Sequence, residues 1–409
     1  MRSRCAAILA AALATLAATA SAASSAKAED AGFFRVVPSE LGPMPAGRTH
    51  EDWPWEPVHL PQVTGGAPDV AERINAQLAL TFLDTPPPMT PGAALPTPQD
   101  VIVGGLEFDI ARNDARLLSI RITTAGCGAH CEWFTHIVHF DPRTGRQVRL
   151  SDLLLPPAMA RARTALAQVG VALYANGLAR LPRPSEPEPD AAEADPDADD
   201  TAAPDDGLVQ PQPPADTEPI DLTDDADGSE HRFIFEYCQR SWQDELDAAD
   251  SSSDEPDFEL AADGTMTLPL QACRHDPRGM HLEDQLFWSS QVVVVLRPQS
   301  LARLTTPFGR ALILRSAVVP AFEDVRNQVV RGHVGTARIT LKLRNDRDGS
   351  CSAIYFYERY RQSIDLAGTC TASNWTFRED GGVFEMHPDH GGLIGTWRGK
   401  GRTLPARLD

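Results

Sequence analysis

Leu118, Ile120 and Ile122 alternate with polar neighbours, and Phe134, His136, Val138 and Phe140 repeat the alternation beyond a short loop. A period of two is that of a half-buried strand, so the stretch predicts two strands around a loop. Asp141-Pro142-Arg143-Thr144-Gly145 predicts a tight turn with Gly145 at positive φ, leading into a strand at 147–150 and then a helix. Upstream, Val70, Ile74, Leu78 and Phe82 recur every four residues, which predicts an amphipathic helix over 69–82 with Asp69 as its N-cap. Downstream, Pro156-Pro157 opens a longer helix carrying Met159, Ala162, Leu166, Val169 and Leu173, with Asn176-Gly177 as its left-handed close. Further strands are expected at 58–63, at 101–111, on both sides of Asp263-Gly264 within 258–268, and in the β-branched run 291–296, followed by a short helix at 299–304.

From residue 330 onward the texture changes. Ala337, Ile339, Leu341 and Leu343 alternate, and Asp348-Gly349 marks a hairpin turn. Apolar pairs then recur about every ten residues, separated by Gly368, Gly381-Gly382, Gly391-Gly392, Gly395 and Gly399. That spacing predicts an up-and-down meander able to close as a small barrel. The fold class expected is therefore α+β: an antiparallel sheet with one long and one short covering helix, followed by a small all-β domain.

Composition divides the 409 residues further. Met1-Arg2-Ser3-Arg4 precedes an alanine- and leucine-rich run with small-x-small sites at Ala20-Ser21-Ala22 and Ala26-Lys27-Ala28, which predicts a secretory signal peptide over 1–28. An extended, proline-rich lead-in is expected over 29–52, with Trp53-Pro54-Trp55 packing as a strap. The α+β domain is expected over 53–315, a linker over 316–331 and the β-domain over 332–409. Residues 183–230 hold 17 acids and a single base, Arg183, and thus -16 of the formal net charge of -20. With almost no large apolar residues, this segment is expected to be a disordered insertion. The negative total argues against nucleic acid and anionic membranes as partners, and the acidic segment would attract cationic proteins. No stretch after the leader approaches the roughly 18 apolar residues of a membrane span, so a periplasmic or secreted protein is expected.

Six cysteines remain once Cys5 is removed with the leader: Cys127, Cys131, Cys238, Cys273, Cys351 and Cys370. An even number in an oxidising compartment predicts disulfides. Proximity suggests Cys127–Cys131, Cys238–Cys273 and Cys351–Cys370, though other pairings stay open.

Several of these residues carry a resemblance. The run from Ser119 through Gly128-Ala129-His130, Phe140-Asp141, Thr144-Gly145, Leu150 and Asp152-Leu153-Leu154 resembles the extracytoplasmic domain of anti-sigma factors that act as lysozyme receptors. The same domain lies beside catalytic domains in some peptidoglycan deacetylases. Pro61-Gln62 and Ile74-Asn75 match the pairs that flank its first helix. This chain differs in placing Cys127 and Cys131 around the loop and in having no membrane helix. The resemblance implies recognition of a hydrolase such as lysozyme or of a cell-wall-related ligand such as peptidoglycan fragments, while the acidic charge adds other cationic proteins to the expected partners. The C-terminal region, with Tyr355-Phe356-Tyr357, Ile364 to Gly368 and Gly395-Thr396-Trp397, is similar to small exported β-domains.

Catalytic motifs are absent: no Gly-x-Ser-x-Gly elbow, no His-Glu-x-x-His, no phosphate loop and no dinucleotide fingerprint. His387-Pro388-Asp389-His390 has ligand chemistry but sits in a turn, and His136 and His139 fall on opposite faces of a strand. No metal site, cofactor or catalytic residue is therefore expected. The candidate site is the loop 126–134, where a Cys127–Cys131 bridge would stiffen a surface presenting His130, Glu132 and Trp133. The expected function is non-enzymatic binding in the cell envelope; the alternatives are a cell-wall hydrolase or deacetylase, or a structural envelope protein.

Overall fold

The structure is a computed structural model and describes residues 33–41, 56–95, 104–127, 131–181, 210–212, 229–248, 255–270, 293–315, 320, 324–345, 350–371 and 373–409. The leader, Trp53-Pro54-Trp55, His130, Cys273 and Asp348-Gly349 lie outside these residues.

The α+β region is assembled from three small antiparallel sheets. Strands β1 (Arg35–Glu40) and β2 (His59–Thr64) pair as a two-stranded ribbon. Helix α1 (Pro68–Phe82) follows, and then the sheet β3 (Gly105–Asn113), β4 (Leu118–Cys127), β5 (Cys131–Phe140) and β6 (Gln147–Val148) in that order. The inward residues of β4 are the expected ones: Leu118, Ile120 and Ile122 are fully buried beside Leu106, Val138 and Phe140. Val70, Ile74, Leu78 and Phe82 of α1 close this core. Gly145 takes the positive φ that the turn requires (72°), and a Cβ there would meet the Val70 carbonyl at 2.6 Å.

A second core lies beyond the one-turn helix α2 (Leu150–Leu153) and the long helix α3 (Pro156–Arg180). Helix α4 (Ser229–Asp247) packs on α3, and the sheet β7-β10-β9-β8 combines Gln210–Gln212, Val293–Leu296, Met266–Pro269 and Glu259–Leu260. Short helices α5 (Pro298–Leu301) and α6 (Pro307–Ile313) complete it. The acidic segment is thus not featureless: β7 lies inside it and α4 begins before it ends. The helix over 229–247 escapes the sequence reading because its buried residues, Ile234, Phe235 and Cys238, face another helix rather than a sheet.

Other expectations shift for local reasons. Asp69 sits in the first turn of α1, while Ala67 is its N-cap and Pro68 opens the helix without side-chain capping. Asn176-Gly177 does not end α3. Gly177 stays helical because Phe235 packs on it, with ring carbons 3.1 Å from where a Cβ would be. The lead-in contributes β1, so the domain begins before Trp53. The barrel's first strand starts at Val329, inside the expected linker.

Strands β11 (Val329–Val334), β12 (Ala337–Asn345), β13 (Ser350–Tyr357), β14 (Ser363–Cys370), β15 (Trp375–Glu379), β16 (Gly382–Asp389), β17 (Gly392–Gly399) and β18 (Arg402–Leu408) form the C-terminal domain. Each pairs with the next, and β11 pairs with β18, closing an antiparallel barrel. Its interior is filled by Ile339, Leu341, Tyr355, Phe377, Phe384, Met386 and Leu393, each nearly inaccessible. Glycines admit the closest backbone approaches. A Cβ on Gly332 would stand 1.9 Å from the Arg407 carbonyl, where β11 meets β18. The Cys351–Cys370 disulfide joins β13 to β14 at one end, with 5.7 Å between Cα atoms. Cys238 is also disulfide-bonded.

The two regions share α1. Its face opposite the sheet carries Ala76 and Leu80, which pack with Val329, Ile354 and Phe356 on the outer wall of the barrel. Polar contacts surround this seam. Arg331 pairs with Glu72 at 2.6 Å, Arg344 with Asp84, and the buried Lys342 ammonium donates to the Leu80 carbonyl at 3.3 Å. Gln328 accepts from the Gln147 amide at 3.0 Å and donates to the Gln147 carbonyl at 2.9 Å, so its side chain acts as one residue of a strand beside β6. Asn75 clamps Val63 in the same manner, and Asn113 clamps Phe34.

Candidate functional site

The β4–β5 hairpin holds the expected binding loop. Cys127 stands directly opposite Cys131 in the ladder, and Glu132 opposite Gly126. Trp133 pairs with Ala125, which in turn pairs with Gly105, so the three share one face of the sheet. This is the face away from α1. The indole packs down on Gly105, where a Cβ would lie 3.3 Å from its ring, and Trp133 remains 46% exposed. Thr123 and Thr135 continue the face, their hydroxyls 3.2 Å apart. The Glu132 side chain and His130 lie outside the described residues. Of the predicted trio, Trp133 is therefore the member whose surroundings are visible: a half-exposed aromatic side chain on a paired strand.

The other end of the same face is covered. His139 is 1% exposed, with Phe258 stacked on its ring at 4.1 Å between centroids. Its Nε2 lies 2.7 Å from the Phe258 carbonyl and its Nδ1 2.8 Å from the Ser119 hydroxyl. The carbonyl can only accept, so Nε2 carries the proton and Nδ1 accepts from Ser119. Burial pushes the imidazole down to about 4, and the Phe258 hydrogen bond only partly opposes this. A Ser–His pair is thus present without access for a substrate, and it serves to fasten the second core to the first. His136 turns to the other face, near Asp257 at 3.5 Å, as strand alternation requires.

No family model matches the chain, and no curated protein matches it.

Among the described residues no three or more His, Cys, Asp and Glu side chains gather as a metal site. His390 stands at a positive φ of 45° with Asp389 3.8 Å away. Arg149, Asp152 and Asp324 form a half-buried ionic cluster, but it ties α2 to the segment entering the barrel. Burial works against the Arg149 charge, yet the surrounding carboxylates raise its pKa further.

Sequence reasoning missed a polar group inside the barrel. The Tyr355 hydroxyl donates to one carboxylate oxygen of Glu379, and the Trp397 indole N–H donates to the other at 2.7 Å. The signal was available: Tyr355, Glu379 and Trp397 sit at inward positions of an alternating pattern, where a glutamate stands out among apolar residues. A lone inward acid at a strand end reads equally well as part of the turn beside it.

Proposed function

We propose that the chain is an exported, non-enzymatic binding protein of the cell envelope, periplasmic or secreted, whose α+β region recognises lysozyme or a cell-wall-derived ligand. The ligand would be held or occluded rather than converted. The observation that carries this reading is Trp133, 46% exposed at the open end of its sheet face, in the hairpin that also bears the lysozyme-receptor-like motif. Large aromatics on rigid, paired backbone lose little entropy on binding and dominate protein interfaces. One coarser finding supports export: a disulfide closes Cys351 on Cys370, as an oxidising compartment allows.

Calorimetric titration of the oxidised, mature chain with a cationic c-type lysozyme tests the reading. Saturable one-site heat at moderate salt is expected, weakened about tenfold or more by Trp133→Ala. A companion variant would replace the acids of 183–208 by their amides, sparing β7 and α4. Binding that vanishes in this variant and is indifferent to Trp133→Ala would mean that a polyanion attracts a cation. Absence of heat in the unaltered chain would retire lysozyme as the ligand.

A further inference from the structure

The barrel end opposite the disulfide has a chemistry that the rest of its interior lacks. Strand polarity brings Tyr357, Glu379, Trp397 and Leu404 to this end, with Ile364 beside them. Glu379 is only partly buried, and both of its carboxylate oxygens are held by neutral donors, Tyr355 and Trp397. No cationic side chain among the described residues stands within ion-pair distance of it. Burial, reinforced by the Glu379 hydrogen bond, pushes the Tyr355 phenol far above its ordinary range, so the hydroxyl remains a donor.

The surroundings are aromatic and held in place by backbone. A Cβ on Gly382 would lie 2.6 Å from the Trp397 Nε1, and one on Gly399 2.6 Å from its ring carbons, so the paired glycines are what give the indole its room. Rings follow one another outward, each edge-on to the last: Phe384 to Tyr355 at 5.6 Å, Tyr355 to Tyr357 at 5.5 Å, and Tyr357 to Tyr360 at 6.1 Å. Tyr360 ends the series at 69% exposure, and the Arg359 guanidinium already lies 5.6 Å from its ring centre. The other three connections at this end are the short turns Gly335-Thr336, Asp380-Gly381 and Lys400-Gly401, each with a glycine at positive φ.

A carboxylate drawn partly out of water among ring faces lacks a counter-charge, and the two neutral hydrogen bonds only orient it. An alkali or divalent ion would need several oxygen ligands, whereas one carboxylate is present. An anion would be repelled. A substituted ammonium satisfies both parts at once, with its charge on the carboxylate and its apolar substituents on the negative faces of the rings. We infer that the mouth of the barrel binds a small organic cation, held by Glu379 with Tyr357, Tyr360 and Trp397 as its aromatic walls. This site is separate from the Trp133 face and stands or falls independently of it.

The test is NMR titration of the full mature chain with tetramethylammonium chloride, following the Trp397 indole N–H, which is assigned by its loss in Trp397→Phe. Sodium chloride at equal ionic strength, tert-butanol as a neutral isostere and N-acetylglucosamine as a neutral sugar are the controls. A saturable shift with a Kd on the order of millimolar is expected. It should weaken about tenfold in Glu379→Gln and a few-fold in Tyr360→Ala. No saturable shift, an undiminished shift in Glu379→Gln, or an equal response to the alcohol or the sugar would overturn the inference. Should Glu379→Gln fail to fold, the exposed Tyr360→Ala and the neutral controls still decide it.

Discussion

The barrel buries a single core and the α+β region more than one, and they do so from opposite kinds of sequence. In the barrel every strand pairs with its neighbour in the chain, and only the closure of β11 on β18 is long-range. In the α+β region β10 lies between β7 and β9, and His139 is fastened to a carbonyl 119 residues away. Local pairing leaves a regular trace of alternation and turns. Distant pairing leaves fragments whose partners the sequence does not name.

Four measurements break or sharpen this contrast. The largest effect is expected at the centre of the barrel. Phe384 is fully buried among aromatic and aliphatic neighbours, and Phe384→Ala should cost about 3–5 kcal/mol in denaturant unfolding. If the regions unfold separately, only the barrel transition should move. Replacing Cys351 and Cys370 by serine comes next. Their bond closes a span of 19 residues, and its loss should cost about 3 kcal/mol in the same transition.

The third measurement concerns the α+β region alone. His139 has its pKa depressed from 6.5 to about 4 by burial, so between these values the unfolded chain binds a proton that the folded one refuses. Stability of that region should therefore fall as pH drops from 6.5 towards 4, by at most roughly 1.4 kcal/mol per pH unit within that window. His139→Gln should flatten the dependence, and an unchanged slope would show that the imidazole is not held as described.

The fourth measurement, of a size similar to the third, lies at the seam between the regions. Burial lowers the Lys342 pKa from 10.5 to about 8, so stability should rise as pH climbs across that window and the penalty for a buried charge is relieved. Lys342→Met should remove the rise. If melting of the two regions is coupled, both transitions should respond.

Legibility followed the same division. Alternation at Ile339, Leu341 and Leu343 and the glycine spacing were enough for the barrel, because the cause of each strand lies within a few residues of it. Leu118, Ile120 and Ile122 announced β4 for the same reason. Helix α4 was missed because its apolar residues read only against Gly170 and Gly177 of α3, which a Cβ would bring into contact with Trp242 and Phe235. Ala76 and Leu80 gave no warning either. They lie on the polar-looking side of α1, and only the barrel wall makes that side a second interior. Of the candidate loop, the sequence located Trp133. The Glu379 group escaped it, since three residues on three strands converge only when the barrel closes.

The double-faced α1 also has a consequence for the chain during synthesis. Leu80 emerges early, while Lys342, which caps its carbonyl, follows 262 residues later. Until then the sheet can cover one side of the helix, but the other waits wet for a wall that has not been made. A truncated or stalled chain would display that stripe, and a holdase that binds exposed apolar segments would find it there.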